Sequence, residues 1–86
     1  MSQTEEPKKK ALRELVELLE ELKRIGIDKV DIYRRPEGAS VVVGNVEYIY
    51  DAVNIDEVQL WLAAHGYVMH RGGNALHVEC HAGERI

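Results

Sequence analysis

Residues 66–81, GYVMHRGGNALHVECH, decide how this chain is read. Apolar and polar residues alternate on both sides of Arg71-Gly72-Gly73-Asn74, which describes two strands joined by a tight turn. A two-residue loop at Gly72-Gly73, or a four-residue loop over 71–74, sets His70 opposite Ala75. Met69 then faces Leu76, Val68 faces His77 and Tyr67 faces Val78. Tyr67, Met69, Leu76, Val78 and Cys80 share the core face of this hairpin. Val68, His70, His77, Glu79 and His81 share the opposite face.

Working outward, a helix precedes the hairpin. Asn54 and Glu57 form a capping box at its start, Ile55, Val58, Trp61 and Leu62 make its apolar stripe, and Gly66 ends it. The same arrangement occurs upstream. Val30, Asp31, Ile32 and Tyr33 alternate as a strand, Pro36-Glu37-Gly38 turns the chain, and Val41-Val42-Val43 continues it. A helix comes first here too, with Leu12, Leu15, Val16, Leu19, Leu22 and Ile25 at three- and four-residue steps. Leu12, Leu15, Leu19 and Leu22 also fit a short a/d seam, so a helix–helix dimer is the alternative to a helix lying on a sheet. Val16 and Leu18 widen the stripe beyond a seam and favour the sheet.

Residues 39–51, ASVVVGNVEYIYD, read either as one strand kinked at Gly44 or as two strands joined by Gly44-Asn45. A shift of 36 residues aligns Arg35 with Arg71, Ala39 with Ala75 and Val42 with Val78. A shift of 40 aligns Leu18 with Val58 and Leu22 with Leu62. The expected fold is an α+β two-layer sandwich of order αββαββ, or αβββαββ if Gly44-Asn45 turns the chain. Its antiparallel sheet has four or five strands with two helices packed on one face, as in a circular permutation of the ferredoxin-like order. Residues 1–7 are expected to be a disordered tail and residues 8–86 a single domain.

Composition narrows the function. The chain has 86 residues, 30% of them charged, and a formal net charge of −4. Residues 1–43 balance nine basic against nine acidic groups, while 44–86 hold Arg71 and Arg85 against six acids. An acidic balance opposes nonspecific binding to a nucleic-acid backbone, which needs a basic face. Cys80 is the sole cysteine, so an intrachain disulfide is excluded. MSQTEEPKKK has no apolar run after its charges and is not expected to be a signal peptide, and no apolar stretch approaches a membrane span. The protein is therefore expected to be cytoplasmic, without membrane association.

Three groups of residues could carry chemistry. His70, His77 and Glu79 share one face of the hairpin and are of types that ligate zinc or nickel. Tyr33, Arg34, Arg35 and Arg71 would gather near one end of the sheet as a basic-aromatic patch for RNA or DNA. Val68, His70, His77 and His81 lie on the sheet side left bare by the helices, where histidines are cheap to desolvate. Cys80 alternates with Leu76 and Val78 and is expected to be buried rather than nucleophilic. No catalytic pairing can be placed and no cofactor is expected. GYVMHRGGNALH resembles the Gly-aromatic, Arg, Gly, His stretch of the HicA-like messenger-RNA interferase toxins, which have a double-stranded-RNA-binding-type fold. In that family the histidine directly follows a Gly-Ser pair, whereas Gly73 here precedes Asn74 and Ala75, so the activity does not carry over.

The expectation is a small non-enzymatic interaction domain that self-associates as a homodimer through its sheet, by the bare face or an edge strand, and that could also take another protein partner. Protonation of interface histidines would weaken it. Nucleic-acid binding, disfavoured by charge, is the second reading. Metal-dependent or ribonuclease-like activity on the histidine face is the third.

Overall fold

A computed structural model describes residues 7–80, in the order α1 (Pro7–Arg24), β1 (Lys29–Arg35), β2 (Gly38–Val43), β3 (Val46–Asp51), α2 (Ile55–Ala64), β4 (Val68–Gly72) and β5 (Ala75–Glu79). The expectations for residues 1–6, His81 and residues 82–86 fall outside the described residues, and Pro7 is already the first residue of α1.

The fold is an αβββαββ sandwich, with one antiparallel sheet of order β3-β2-β1-β5-β4 and both helices on the same face. Gly44-Asn45 is a true turn: Val43 pairs with Val46 directly across it. Gly44 takes φ of 60° and Gly73 φ of 63°, while Ala52 is the one non-glycine with positive φ among the described residues. The β2–β3 and β4–β5 hairpins therefore each turn on a Gly-Asn pair with glycine at the first central position, the pattern of a type II′ turn.

That second turn moves the register of the last hairpin. The loop is Gly73-Asn74, not Gly72-Gly73 or 71–74, because the glycine that leads an Asn can take the left-handed conformation. Gly72 pairs with Ala75, Arg71 with Leu76, His70 with His77, Met69 with Val78 and Val68 with Glu79. Each expected partner is displaced by two residues, which leaves every side chain on its expected face but changes its neighbours.

The strand order differs from a permuted ferredoxin-like sheet, which would place β5 beside β2. Here the Gly44-Asn45 turn folds β3 onto the outer edge of β2. The inner edge of β2 is taken by β1. β5 therefore pairs with the remaining edge of β1.

Leu15, Leu19 and Leu22 of α1 and Ile55, Val58 and Leu62 of α2 join Val30, Ile32, Ala39, Val41, Leu76 and Val78 in one core. Leu15 is 0% exposed, so the leucine seam of α1 is spent on the sheet and not left for a helix–helix dimer. Ile25, expected in that stripe, is exposed beyond the helix end, where Gly26 (φ 100°) breaks the helix. Arg24, in the last turn of α1, pairs with Glu21. Asn54 caps α2 by accepting the Asp56 N–H at 2.8 Å instead of the Glu57 N–H.

Gly38 opens β2 where β3 closes. A Cβ there would overlap the Tyr50 carbonyl oxygen and press on the Ala52 nitrogen, both backbone. Gly38→Ala is expected to lower stability by about 1–3 kcal/mol in chemical denaturation, through forced separation of the strand ends. Val78→Asp is expected to cost several times more than His77→Ser, on the order of 3–5 kcal/mol, since Val78 is buried and His77 is not. The reverse ranking would invert the faces of β5.

Candidate functional site

The candidate site is the bare side of the sheet together with the edge it runs into. Pairing sets the side chains of this side in rows across the strands. One row holds Gly72, Ala75, Tyr33, Ser40 and Ile49, and the next holds His70, His77, Asp31, Val42 and Glu47. Val68, Glu79 and Lys29 form a third. β2, apolar on both sides, thus sends Val42 to the bare side and Val41 and Val43 to the helices.

The histidine row is organised in pairs. His77 Nδ1 lies 2.8 Å from Asp31 Oδ1, and His70 Nε2 lies 3.6 Å from Glu79 Oε2. Lys29, Asp31, His70, His77 and Glu79 rim a shallow depression of about 330 Å3. His70 and His77 are direct cross-strand neighbours rather than diagonal ones. Among the described residues no three His, Cys, Asp or Glu side chains converge as a metal ion requires. His70, His77 and Glu79 share a face, but His70 faces Glu79 while His77 turns to Asp31. Val68 stands exposed beside them.

The neighbouring row is apolar. Tyr33 and Ile49 flank Ser40 on either side and are themselves exposed, Ile49 by 56%. Ser40 is 0% exposed, and its hydroxyl has no hydrogen-bond partner. A hydroxyl dehydrated without compensation costs free energy, so this row is already drier than a solvent-facing sheet surface.

The arginines do not form one patch. Arg34 and Arg71 lie on the helix side, where both reach Asp56 at the start of α2, at 3.6 and 2.9 Å. Arg71 also donates to Gln59 Oε1 at 2.7 Å and to the Gly73 carbonyl at 2.8 Å. Arg35 lies on the other side and pairs with Glu47 at 3.2 Å. Tyr33 shares that side with Arg35 but not with Arg34 or Arg71. Each of the three is thus answered by a carboxylate: Arg34 and Arg71 tie the sheet and its last turn to α2, and Arg35 ties β1 to β3. These ties are partly exposed and individually weak.

His65, the fourth histidine, is structural. Its Nδ1 lies 2.9 Å from the Trp61 carbonyl, and its ring stacks on Trp61 at 3.8 Å. Tyr67 packs against Trp61, with Lys23 of α1 over its ring, which closes the gap between the helices.

None of the candidate site residues expected from the sequence lies on β3. It is the outer strand, and Val46 (50% exposed), Tyr48 (38%) and Ile49 all remain open. The signal was available in VEYIYD, which carries β-branched or aromatic residues toward both sides. On the inner half of this strand, burial raises the Tyr50 phenol above its ordinary pKa, and the Glu14 carboxylate of α1 raises it further. α1 lies against β3 at this point.

Comparison with known families, with characterised proteins and with solved structures returns no match.

Cys80 is buried as part of the core. Burial raises its thiol pKa and Asp28 adds to this, with Lys23 acting the other way. The unfolded chain gives up this proton at the ordinary thiol pKa while the folded chain holds it. Above that range the unfolded state therefore binds fewer protons, and stability falls as pH rises. Iodoacetamide at about pH 8 is expected to leave Cys80 unmodified in the native protein and to label it fully in denaturant. Labelling at equal rates would show that the thiol is open.

Proposed function

We propose that this chain is a non-enzymatic interaction domain that self-associates through its sheet, its partner being a second copy of itself. One observation carries this reading: the sheet is covered on one side only, and the bare side bears an apolar band that runs into an unblocked edge. Tyr33, Val42 and Ile49 make the band, Ser40 is already dry beneath it, and Val46 and Tyr48 continue it around β3. Monomeric domains seldom leave such continuity of apolar surface and free strand edge. Twofold dimers are the commonest way to cover it. Nucleic-acid binding gains no support from the geometry, because Arg34, Arg35 and Arg71 are each paired with a carboxylate. A cytoplasmic setting fits the buried, unpaired Cys80. No helix among the described residues is long and apolar enough to cross a membrane.

Sedimentation equilibrium at micromolar concentration tests the proposal. The expected result is a species of twice the chain mass that dissociates on dilution. A single monomeric mass across the micromolar range would overturn it.

A further inference from the structure

We infer that the second copy docks on the β3 edge, the two β3 strands pairing antiparallel about a twofold axis at Tyr48 and joining two five-stranded sheets into one. This rests on the self-association proposed above and assigns its edge and its register.

The backbone of β3 determines which residues are free to pair. Val46 is bonded to Val43 across the two-residue turn, and at the far end the Ala52 N–H donates to the Glu37 carbonyl at 2.7 Å. In an antiparallel ladder bonded pairs alternate with unbonded ones. Val46, Tyr48 and Tyr50 therefore spend their N–H and C=O groups on β2. Glu47, Ile49 and Asp51 point theirs outward from the sheet. Glu47 and Asp51 are the charges on this edge; β3 has no proline, lysine or arginine, and its pairing with β2 runs without a bulge. At the opposite edge, β4 turns out only Met69 and Arg71 within the strand, and the Arg71 side chain is already tied to Asp56, Gln59 and Gly73.

Charge then selects the register. An outward residue must meet an outward residue, so few twofold alignments exist. Centring on Glu47 sets that carboxylate against its own copy. Centring on Ile49 sets Glu47 against Asp51, twice over. Centring on Tyr50 pairs only Ile49, Tyr50 and Asp51, half of the strand. Centring on Tyr48 sets Glu47 against Ile49 and Val46 against Tyr50, without opposing acids, and forms four backbone hydrogen bonds. Like charges directly opposite are destabilising, whereas aromatic and β-branched cross-strand pairs are favourable.

The helix above the edge agrees. α1 meets β3 with Lys10, Ala11 and Glu14 beside Ile49, Tyr50 and Asp51. Four residues along a helix advance about 6 Å, and two along a strand nearly the same. Leu18, half-buried, is therefore level with Tyr48. On a 3.6-residue repeat Ala11 and Leu18 follow one flank of α1, the flank toward β3. A twofold at Tyr48 brings this flank toward its copy, adding side-chain burial to the strand pairing.

Four proteins test the inference: the wild type, Tyr48→Lys, Ile49→Lys, and Tyr48→Cys in a Cys80→Ala background. Tyr48→Lys sets two ammonium groups opposite each other and is expected to weaken the dimer at least tenfold while unfolding remains one cooperative transition. Ile49→Lys sets each lysine against Glu47 of the other copy and is expected to leave the dimer intact. Mild oxidation is expected to cross-link Tyr48→Cys, because unbonded antiparallel pairs lie about 4.5 Å apart at Cα, within disulfide reach. If Tyr48→Lys does not fold, this cross-link decides. A Tyr48→Lys dimer of wild-type affinity without the cross-link overturns the β3 interface. Dissociation by Ile49→Lys overturns the register. Dissociation that follows histidine titration instead places the contact on the β4–β5 side, with self-association still standing. A monomeric wild type removes both proposals.

Discussion

β1 is hydrogen-bonded along both of its edges, to β2 and to β5, and that double pairing holds the two halves of the chain together. It unites a three-stranded meander led by α1 with a hairpin led by α2. Without it each half would present one amphipathic layer with little to close on. With it, Val30 and Ile32 sit at the middle of the sheet, where leucines from α1 and the Ile55, Val58 and Leu62 stripe of α2 meet over them. In a chain of 86 residues with a thin margin of buried surface, a core shared by both halves is what makes the domain cooperative.

The ties at the end of the sheet serve the same join. Arg34 leaves β1 and Arg71 leaves β4, and both meet Asp56 in the first turn of α2. Asp56 gains twice from this position, since a carboxylate also suits a helix N-terminus. One acid thus ties the start of α2 to two strands, beside the apolar packing that seats the helix. The arginines that would have recommended a nucleic-acid site are occupied in holding the fold.

The meander also has a cost. Placing β3 on the outside of β2 protects β2, which is apolar on both sides, but leaves a six-residue strand with its own edge open. Helical cover reaches Tyr50 and stops short of Val46 and Tyr48. The bare side inherits the rest of the problem, with Ser40 dried out between Tyr33 and Ile49. A surface of this kind lowers its free energy when a matching strand is added, and under the proposed self-association a second copy of β3 supplies it.

The apolar periodicities of residues 12–22 and 55–62 contained both helices, and alternation around Arg71-Gly72-Gly73-Asn74 contained the last hairpin and the faces of its side chains. Those are local properties, set by the 3.6- and 2-residue repeats. The burial of Val78, the exposure of His77 and the structural role of Cys80 followed from them. Strand order and register did not, since they depend on which glycine accepts a positive φ and on which edge is still free once neighbours have paired. Gly73 rather than Gly72 led the turn, and so His70 met His77. β3 claimed the outer edge of β2, and so β5 joined β1. Whether Arg34, Arg35 and Arg71 were a patch or a set of braces turned on where Asp56 and Glu47 ended up, which no spacing along the chain encodes.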